Sequence, residues 1–290
     1  MMAHTNQDRY ASLVDAKLRA TLVTKDNLIF NSRYEGTPTA GKVKIPVRDT
    51  EVTVSDYNKA SGIDASGGTT TYLDLNIDQD KAVNEIIDGY DAASVPDGIT
   101  AERLDSAGYA IALEMDKKCI NALETATGST ISSTKTAATA SNAYQLLLEA
   151  KRVLSRKGVP MQDRFVICAP EFLEMLAQDD HFKNGGTVSS DLLSNGVVAR
   201  VAGFNIFESN NLLFEDTAMT SGKKTTTEFI AGHPNWCHRV QEWQVAPHIQ
   251  DLSGSGKYIG ASAVQGRKIY GVKVSKPQTL YIKRIEANAT

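Results

Sequence analysis

The chain of 290 residues lacks the features that mark several large protein classes. Its three cysteines, Cys119, Cys168 and Cys237, are an odd number at wide spacing, which argues against a disulfide framework and fits synthesis in a reducing compartment. No run of about 18 apolar residues is present, so we expect no membrane-spanning helix. The N-terminus shows no basic stretch followed by an apolar one, so no signal peptide is predicted.

A strong excess of basic charge is also missing. The chain has 31 Lys and Arg against 34 Asp and Glu, for a net charge of −3. Proteins whose main task is to grip nucleic acid usually carry a large basic surplus, so any contact with DNA is expected to be weak and sequence-independent. What the chain does have is an ordinary hydrophobic content of 41% and enough length for one large or two ordinary domains.

Two stretches in the first third alternate apolar and polar residues, which is typical of β-strands. They are 42–54 and 69–78, joined by a linker rich in Gly, Ser and Asp. Pro46 predicts an edge strand, because proline cannot donate to the ladder. The residues on the apolar faces are Val43, Ile45, Val47, Leu73, Leu75 and Ile77. Two strands alone are marginally stable, so we expect this hairpin to lie across an adjacent subunit. An N-terminal arm with a short helix at 8–22 precedes it and needs a partner surface.

The longest helical pattern covers residues 97–126. Its apolar stripe is formed by Leu104, Gly108, Ile111, Met115, Cys119 and Ala122. Such a helix would be roughly 40 Å long. We expect the stripe to pack on strands of the final thirty residues, with Gly108 permitting close backbone approach.

The second half mixes short helices and strands, which predicts an α+β fold. Helices are expected at 141–157, from Pro170 onward and at 236–243. Strands are expected at 164–168, at 197–207 with an interruption at Gly203, at 229–231, and as two or three strands within 258–285.

Acidic residues near the second strand imitate a calcium-binding loop. Asp74, Asn76, Asp78 and Glu85 have the spacing of its ligands, but the sixth position is Gln79 where the loop requires glycine. The alternation with apolar residues already explains the acidic spacing as one face of a strand.

Three further patterns resemble chemical sites: a phosphate loop, a zinc site and a Cys/His nucleophile. Residues 254–257 read Gly-Ser-Gly-Lys, but Tyr258 replaces the Ser or Thr of a phosphate loop and a strand follows, so a flexible turn is favoured. His233, Cys237 and His238 cluster with His248 nearby, but no Cys-x-x-Cys pair supports zinc. A Cys/His nucleophile is likewise unsupported, and no G-x-S-x-G elbow occurs. We predict no catalytic residue, no cofactor-binding residue and no metal ligand, and therefore no enzyme.

Four segments carry a family resemblance through their order and spacing. They read RFVICAPEFLEML at 164–176, NGVVARVAGFNIFESNNL at 195–212, EFIAGHPNW at 228–236 and GRKIYGVKVSKPQTL at 266–280. In this order they resemble the major capsid (coat) protein of tailed double-stranded DNA phages. The resemblance implies the α+β fold of the Hong Kong 97 type. It implies an N-terminal arm at 1–36, an extended hairpin loop at 37–80, a peripheral domain at 81–139 and 258–290 with the spine helix 97–126, and an axial domain at 140–257.

The resemblance also implies a function. Such a protein self-assembles as pentamers and hexamers into the icosahedral head shell, a virion capsid that encloses the DNA genome and is assembled in the host cytoplasm. No long charged helical segment stands at the N-terminus, which implies a separate scaffolding protein or none; the separate protein is expected, with portal and decoration proteins as further partners. Some relatives cross-link a hairpin lysine to an asparagine; Lys59 lies near the tip but has no recognised partner, so that chemistry is not assigned.

Two other classes stay open at this stage. A non-viral encapsulating shell protein has the same fold and captures a cargo protein instead of a genome. A small α/β hydrolase or transferase would need convergent polar groups in a pocket, and the sequence offers none at suitable spacing.

Overall fold

The computed structural model describes residues 19–34, 41–48, 51–64, 67–90, 99–179, 200–212 and 223–288. The fold is α+β, as predicted. The helices are α1 (Ile99–Glu124), α2 (Ala143–Arg156) and α3 (Pro170–Gln178). The strands are β1 (Lys42–Val47), β2 (Thr71–Asn76), β3 (Gln79–Ile87), β4 (Thr130–Ile131), β5 (Arg164–Cys168), β6 (Arg200–Val201), β7 (Phe204–Glu208), β8 (Lys223–Gly232), β9 (Cys237–Asp251), β10 (Ser262–Val274) and β11 (Tyr281–Asn288).

The largest sheet has the strand order β4-β11-β8-β5-β7-β6 and is buried on both faces. Strand β5 shows why, because all its residues are buried and its side chains alternate between the two faces. Val166 and Cys168 pack in one core cluster with residues of α2 and α3, whereas Phe165 and Ile167 pack in a second cluster with residues of α1. A continuous apolar run is typical of a strand covered on both sides.

The chain forms two compact units. The larger comprises residues 21–79, 115–242 and 269–290 and contains the six-stranded sheet. The other comprises residues 1–20, 80–114 and 243–268. Its hydrophobic cluster is small: it consists of Ile87, Ala107 and Val264, and three partly buried side chains pack against them.

The long helix was predicted at 97–126 and is observed at Ile99–Glu124. Its 26 residues give a length of about 39 Å. Met115 and Cys119 are buried in one cluster with Tyr270 and Ile282, which confirms packing on the final strands. The close backbone approach expected at Gly108 is not seen among the described residues, because a Cβ placed there would meet none of their atoms within 4 Å.

The predicted helix at 236–243 was also wrong. Pro234–Trp236 forms a single 3-10 turn, and strand β9 begins at Cys237. The first four residues of β9 are all buried, including the polar His238 and Arg239. A strand that buries polar side chains on both faces loses the alternation by which a sequence reveals it.

The remaining predicted elements differ mainly in their ends. Helix 141–157 and strand 164–168 are confirmed as α2 and β5, and the helix begun by Pro170 is α3. The strand predicted at 197–207 is β6 and β7, separated by a turn at Ala202 and Gly203 with positive φ angles; its residues 197–199 lie outside the described ranges. Strand β3 was not predicted. The region 258–285 holds two strands, and of the helix expected at 8–22 only residues 19–22 are described, without helical structure.

Candidate assembly surfaces

Strands β1 and β2 form the predicted antiparallel hairpin, with Ile45 opposite Leu73 and Val43 opposite Leu75. Their apolar face is covered by the chain itself, because Ile45 and Leu75 are buried in a cluster with Val240 of β9. This corrects the expectation that the whole hairpin needs a neighbouring subunit. Two strands are too few to stand alone, and here the larger unit supplies the missing layer.

Gly271 in β10 permits this close packing. A Cβ on Gly271 would lie 2.3 Å from the carbonyl oxygen of Asn76 and 3.0 Å from a methyl carbon of Leu75. Only a residue without a side chain lets the end of β2 approach the backbone so closely. Gly271 is therefore a packing requirement that the hydrophobic pattern of the sequence does not reveal.

The hairpin segment, residues 51–64, connects the two strands and is open to solvent. None of the strands and helices given above lies within it. Val52 is 86% exposed and Val54 94% exposed, and Tyr57 and Ile63 are also mostly exposed. Clustered exposed apolar side chains are typical of interaction surfaces. The hairpin segment is therefore the first candidate assembly surface.

The second candidate is the open strand, residues 243–251 of β9, together with nearby parts of the second compact unit. Along this strand every side chain except those of Pro247 and His248 is exposed. Its exposed apolar side chains are Trp243, Val245 and Ile249, and the same unit also exposes Ile86, Tyr90 and Ile259. Burial of this surface needs a contact from outside the described chain.

The N-terminal segment is anchored near its end. The backbone N–H and the hydroxyl of Thr24 each donate to Asp116 Oδ1 at 2.8 Å, and Asn211 Nδ2 donates to Asp116 Oδ2 at 2.7 Å. The buried guanidinium of Arg239 donates to the carbonyl oxygen of Thr24. Residues 21–34 of the predicted arm therefore rest on their own chain, which corrects the expectation that this part needs a partner. The sequence signal for this anchor is Asp116, a carboxylate that directly follows Met115 of the apolar stripe.

The cationic pocket lies beside β1 in the larger unit and has a volume of about 260 Å³. Three cations, Arg33, Arg48 and Lys276, line it. The other lining residues are Tyr34, Ile45, Pro46, Val47, Asn235, Trp236, His238 and Ser275. No carboxylate belongs to this lining in the described part of the chain.

His238 forms part of the pocket and is held as a neutral imidazole. Its Nδ1 lies 2.9 Å from Asn31 Oδ1, and its Nε2 lies 2.9 Å from Ser275 Oγ. Burial, and then the nearby charge of Arg33, lower the pKa of His238 to about 4. The Arg and Lys side chains, and not His238, are therefore the cations of this lining near neutral pH.

The residues that resemble chemical sites in the sequence lie in ordinary strands and turns of the structure. Asp74 and Asn76 lie in β2, and Asp74 pairs with Lys42 at 3.0 Å. Residues 254–257 lie in the turn between β9 and β10, not at the start of a helix. His233 Nδ1 accepts the N–H of Asn235 at 3.1 Å. Within the described ranges no group of three or more His, Cys, Asp or Glu is arranged to hold a metal ion.

The three cysteines are buried thiols. Burial raises the pKa of the Cys119 thiol to about 11, and it raises the pKa values of Cys168 and Cys237 further. A buried thiol with a raised pKa is a poor nucleophile. Among the described residues no helix is long and apolar enough to cross a membrane.

Comparison with known proteins matches the chain to phage capsid proteins. The family model described as "Phage capsid protein" matches residues 69–247. A solved structure from Mycobacterium phage Che8 is 22% identical, covers 98% of each chain and has a TM-score of 0.72. The capsid structure of cyanophage P-SCSP1u is 15% identical, covers 97% of this chain and 93% of its own, and has a TM-score of 0.76. The mature capsid of bacteriophage PhiM1 is 14% identical, with 97% and 92% covered and a TM-score of 0.69. No curated protein matches the chain.

Proposed function

We propose how the shell is built and filled, from the premise that the chain belongs to the phage capsid protein family and is a major capsid protein of the Hong Kong 97 type that forms the head shell of a tailed phage. Pentamers and hexamers of the chain close into an icosahedral shell around a double-stranded DNA genome. Assembly takes place in the host cytoplasm, and the product is the capsid of the virion. The role is structural, and no catalysis is proposed.

The exposed apolar surface carries this proposal. The hairpin segment and the open strand both present apolar side chains that the described chain does not cover. Apolar patches of this kind mark contacts with other proteins. Copies of one chain can cover two different surfaces by head-to-tail contacts, and such contacts form closed rings when the rotation closes.

The proposal extends to partners and to the division of the chain. A separate scaffolding protein, a portal and decoration proteins assist assembly. DNA is enclosed with weak, sequence-independent contact, because a net charge of −3 offers few cations to displace phosphate counterions. The arm at 1–36, the hairpin loop at 37–80, the peripheral domain at 81–139 and 258–290, and the axial domain at 140–257 remain part of this proposal.

Electron microscopy of the purified full chain, with and without scaffolding protein over a range of salt, tests the proposal. We expect closed particles with fivefold and sixfold clusters. Particles recovered from infected cells should contain double-stranded DNA, whereas a shell filled by a cargo protein would point to an encapsulating compartment. Only monomers under every condition would overturn the proposal.

A further inference from the structure

Strand β9 forms one edge of a three-stranded sheet, whose strand order is β3-β10-β9. Along the open strand, residues 243–251, no described strand pairs with the side that faces away from β10. An edge of this kind presents backbone N–H and C=O groups to which a strand of another chain can add. Proteins therefore usually carry a feature that prevents such pairing.

The sequence of this edge favours pairing with other chains. Residues 243–250 contain no Asp, Glu, Lys or Arg. Trp243, Val245 and Ile249 are exposed apolar side chains of types that favour strands. A segment of about six or seven residues with high strand propensity, low charge and no proline is the signature of intermolecular β-pairing. Pro247 is the residue that breaks this signature.

Two contacts give the register of β9 on β10. The N–H of Leu252 donates to the carbonyl oxygen of Ala261 at 3.0 Å. Pro247 and Gly266 each stand five residues from that pair, and a Cβ on Gly266 would lie 3.3 Å from Pro247 Cα. Both contacts fit one antiparallel register. Hydrogen-bonded and non-hydrogen-bonded pairs alternate in such a ladder, so Pro247 is in a non-hydrogen-bonded pair with Gly266.

This register directs the backbone nitrogen of Pro247 toward the open edge. Residues in non-hydrogen-bonded pairs point their backbone polar groups away from the partner strand. Proline has no N–H, so Pro247 removes no hydrogen bond between β9 and β10. It does remove one donor from the middle of the outer edge, where its ring also occupies the place of the missing hydrogen.

We propose that Pro247 prevents the open strand from pairing edge to edge with the open strand of a second copy. The residue thereby keeps unassembled chains available for ordered assembly, and it leaves the exposed side chains of the open strand free to make other contacts. The inference goes beyond the proposed function and does not depend on it, because it concerns chains that have not joined a shell.

Pro247→Val in the full chain tests the proposal, with Pro247→Ala as a second variant. Both substitutions return an N–H to the outer edge. The matched control is Ala246→Val, which adds an apolar β-branched side chain at an exposed position whose N–H faces β10 in the same register. The measurement is the association constant of the chain by sedimentation velocity, under conditions in which the wild type stays unassembled. Urea denaturation checks that each variant is folded.

We expect Pro247→Val to raise the association constant by about tenfold or more, since each of the two paired copies gains a hydrogen bond and about 1.4 kcal/mol is a factor of ten. Pro247→Ala should give a smaller rise, because alanine favours strands less. Ala246→Val should associate as the wild type does. In the associated Pro247→Val chains, hydrogen exchange over residues 243–251 should slow. Adding Ile249→Lys should suppress the association, because a charge on an edge opposes pairing.

Several results would overturn the proposal. One is an unchanged association constant in both folded proline variants, and another is an equal rise in Ala246→Val. A rise without slower exchange over residues 243–251, or one that Ile249→Lys does not suppress, would place the association on another surface. A rise that only follows lower stability in urea would make Pro247 a packing residue. If the wild type never forms particles, the proposed function fails, whereas this comparison of unassembled chains still decides the role of Pro247.

Discussion

The β1–β2 hairpin has two parts that differ in how far their apolar side chains are covered by the described chain. In the paired strands, Ile45 and Leu75 are buried by the chain's own β9, and Gly271 lets β2 come close. In the hairpin segment, Val52 and Val54 are almost fully exposed. Both parts carry apolar side chains, but only the first is covered within the described chain. One hairpin therefore combines an element of the folded subunit with a surface for assembly.

The same contrast separates the two compact units. In the larger unit the six-stranded sheet buries every residue of β5, and residues of the helices lie in both of its core clusters. The other unit has a small described core and exposes the open strand. Substitutions in covered regions should change the stability of the monomer, whereas substitutions in open regions should change assembly. The four predictions below test this, ordered by their effect on the free energy of unfolding of the unassembled chain.

The largest effect is expected for Leu75→Ala. Leu75 is fully buried between the hairpin and β9, so its truncation should lower the free energy of unfolding by about 2–5 kcal/mol. Tyr72 lies in the same strand but is 65% exposed, and Tyr72→Ala should change stability by no more than about 0.5 kcal/mol. Urea denaturation of the two monomers makes the comparison. Equal stabilities would mean that the strands are not covered by their own chain.

The second effect is a pH dependence caused by His238. The pKa of His238 is about 4 in the folded chain against an ordinary value of 6.5, so the unfolded chain binds more protons between these values. Stability from this group is fully present above pH 6.5 and is lost as the pH falls toward 4, by about 3 kcal/mol at most. Unfolding measured at pH 7 and pH 5 should show the loss. His238→Gln should reduce it, and an unchanged pH dependence in that variant would contradict the assignment.

The elements that were correctly predicted from the sequence are those whose apolar residues follow the repeat of a strand or a helix. The alternation of Phe165 to Cys168 within an apolar run, and the spacing of Met115 and Cys119, identify elements whose core faces the structure confirms. These patterns succeed because apolar side chains follow the repeat of the backbone. The family resemblance added the class of protein, which the phage capsid match confirms, and a division into arm, hairpin loop and two domains, which stays a prediction.

What the sequence did not predict depends on contacts between distant segments. The start of strand β9 was mistaken for a helix because His238 and Arg239 are polar and yet buried, and each forms a hydrogen bond to a residue some 200 positions away. The burial of Leu75 depends on the absence of a side chain at Gly271. The sequence alone does not show whether such a glycine serves close packing or a turn. The lining of the cationic pocket comes from four separate segments of the chain, so no local sequence pattern predicts it.

The third effect is a small gain in stability from Gly108→Ala. Gly108 lies inside helix α1, and an added Cβ would meet no atom of the described residues within 4 Å. Glycine in a helix interior costs about 0.5–1 kcal/mol relative to alanine, so the monomer should become more stable by that amount. Gly108→Leu should leave the monomer folded as well. If Gly108→Leu blocks assembly where Gly108→Ala does not, another copy approaches the helix at this position; a destabilised Gly108→Ala monomer would refute the open space.

The smallest effect on the monomer, and the sharpest contrast with Leu75, is expected for Val52→Ser combined with Val54→Ser. Both side chains are more than four-fifths exposed, so the free energy of unfolding should change by no more than about 0.5 kcal/mol. The yield of particles should nevertheless fall, because burial of two valines in a neighbouring copy is worth about 1.5–3 kcal/mol each and would be lost. Urea denaturation of the monomer and electron microscopy of the same preparation measure both quantities. An undiminished particle yield with unchanged stability would show that the hairpin segment stays exposed in the shell. The hairpin segment would then not be an assembly surface, which would contradict the contrast with the covered strands.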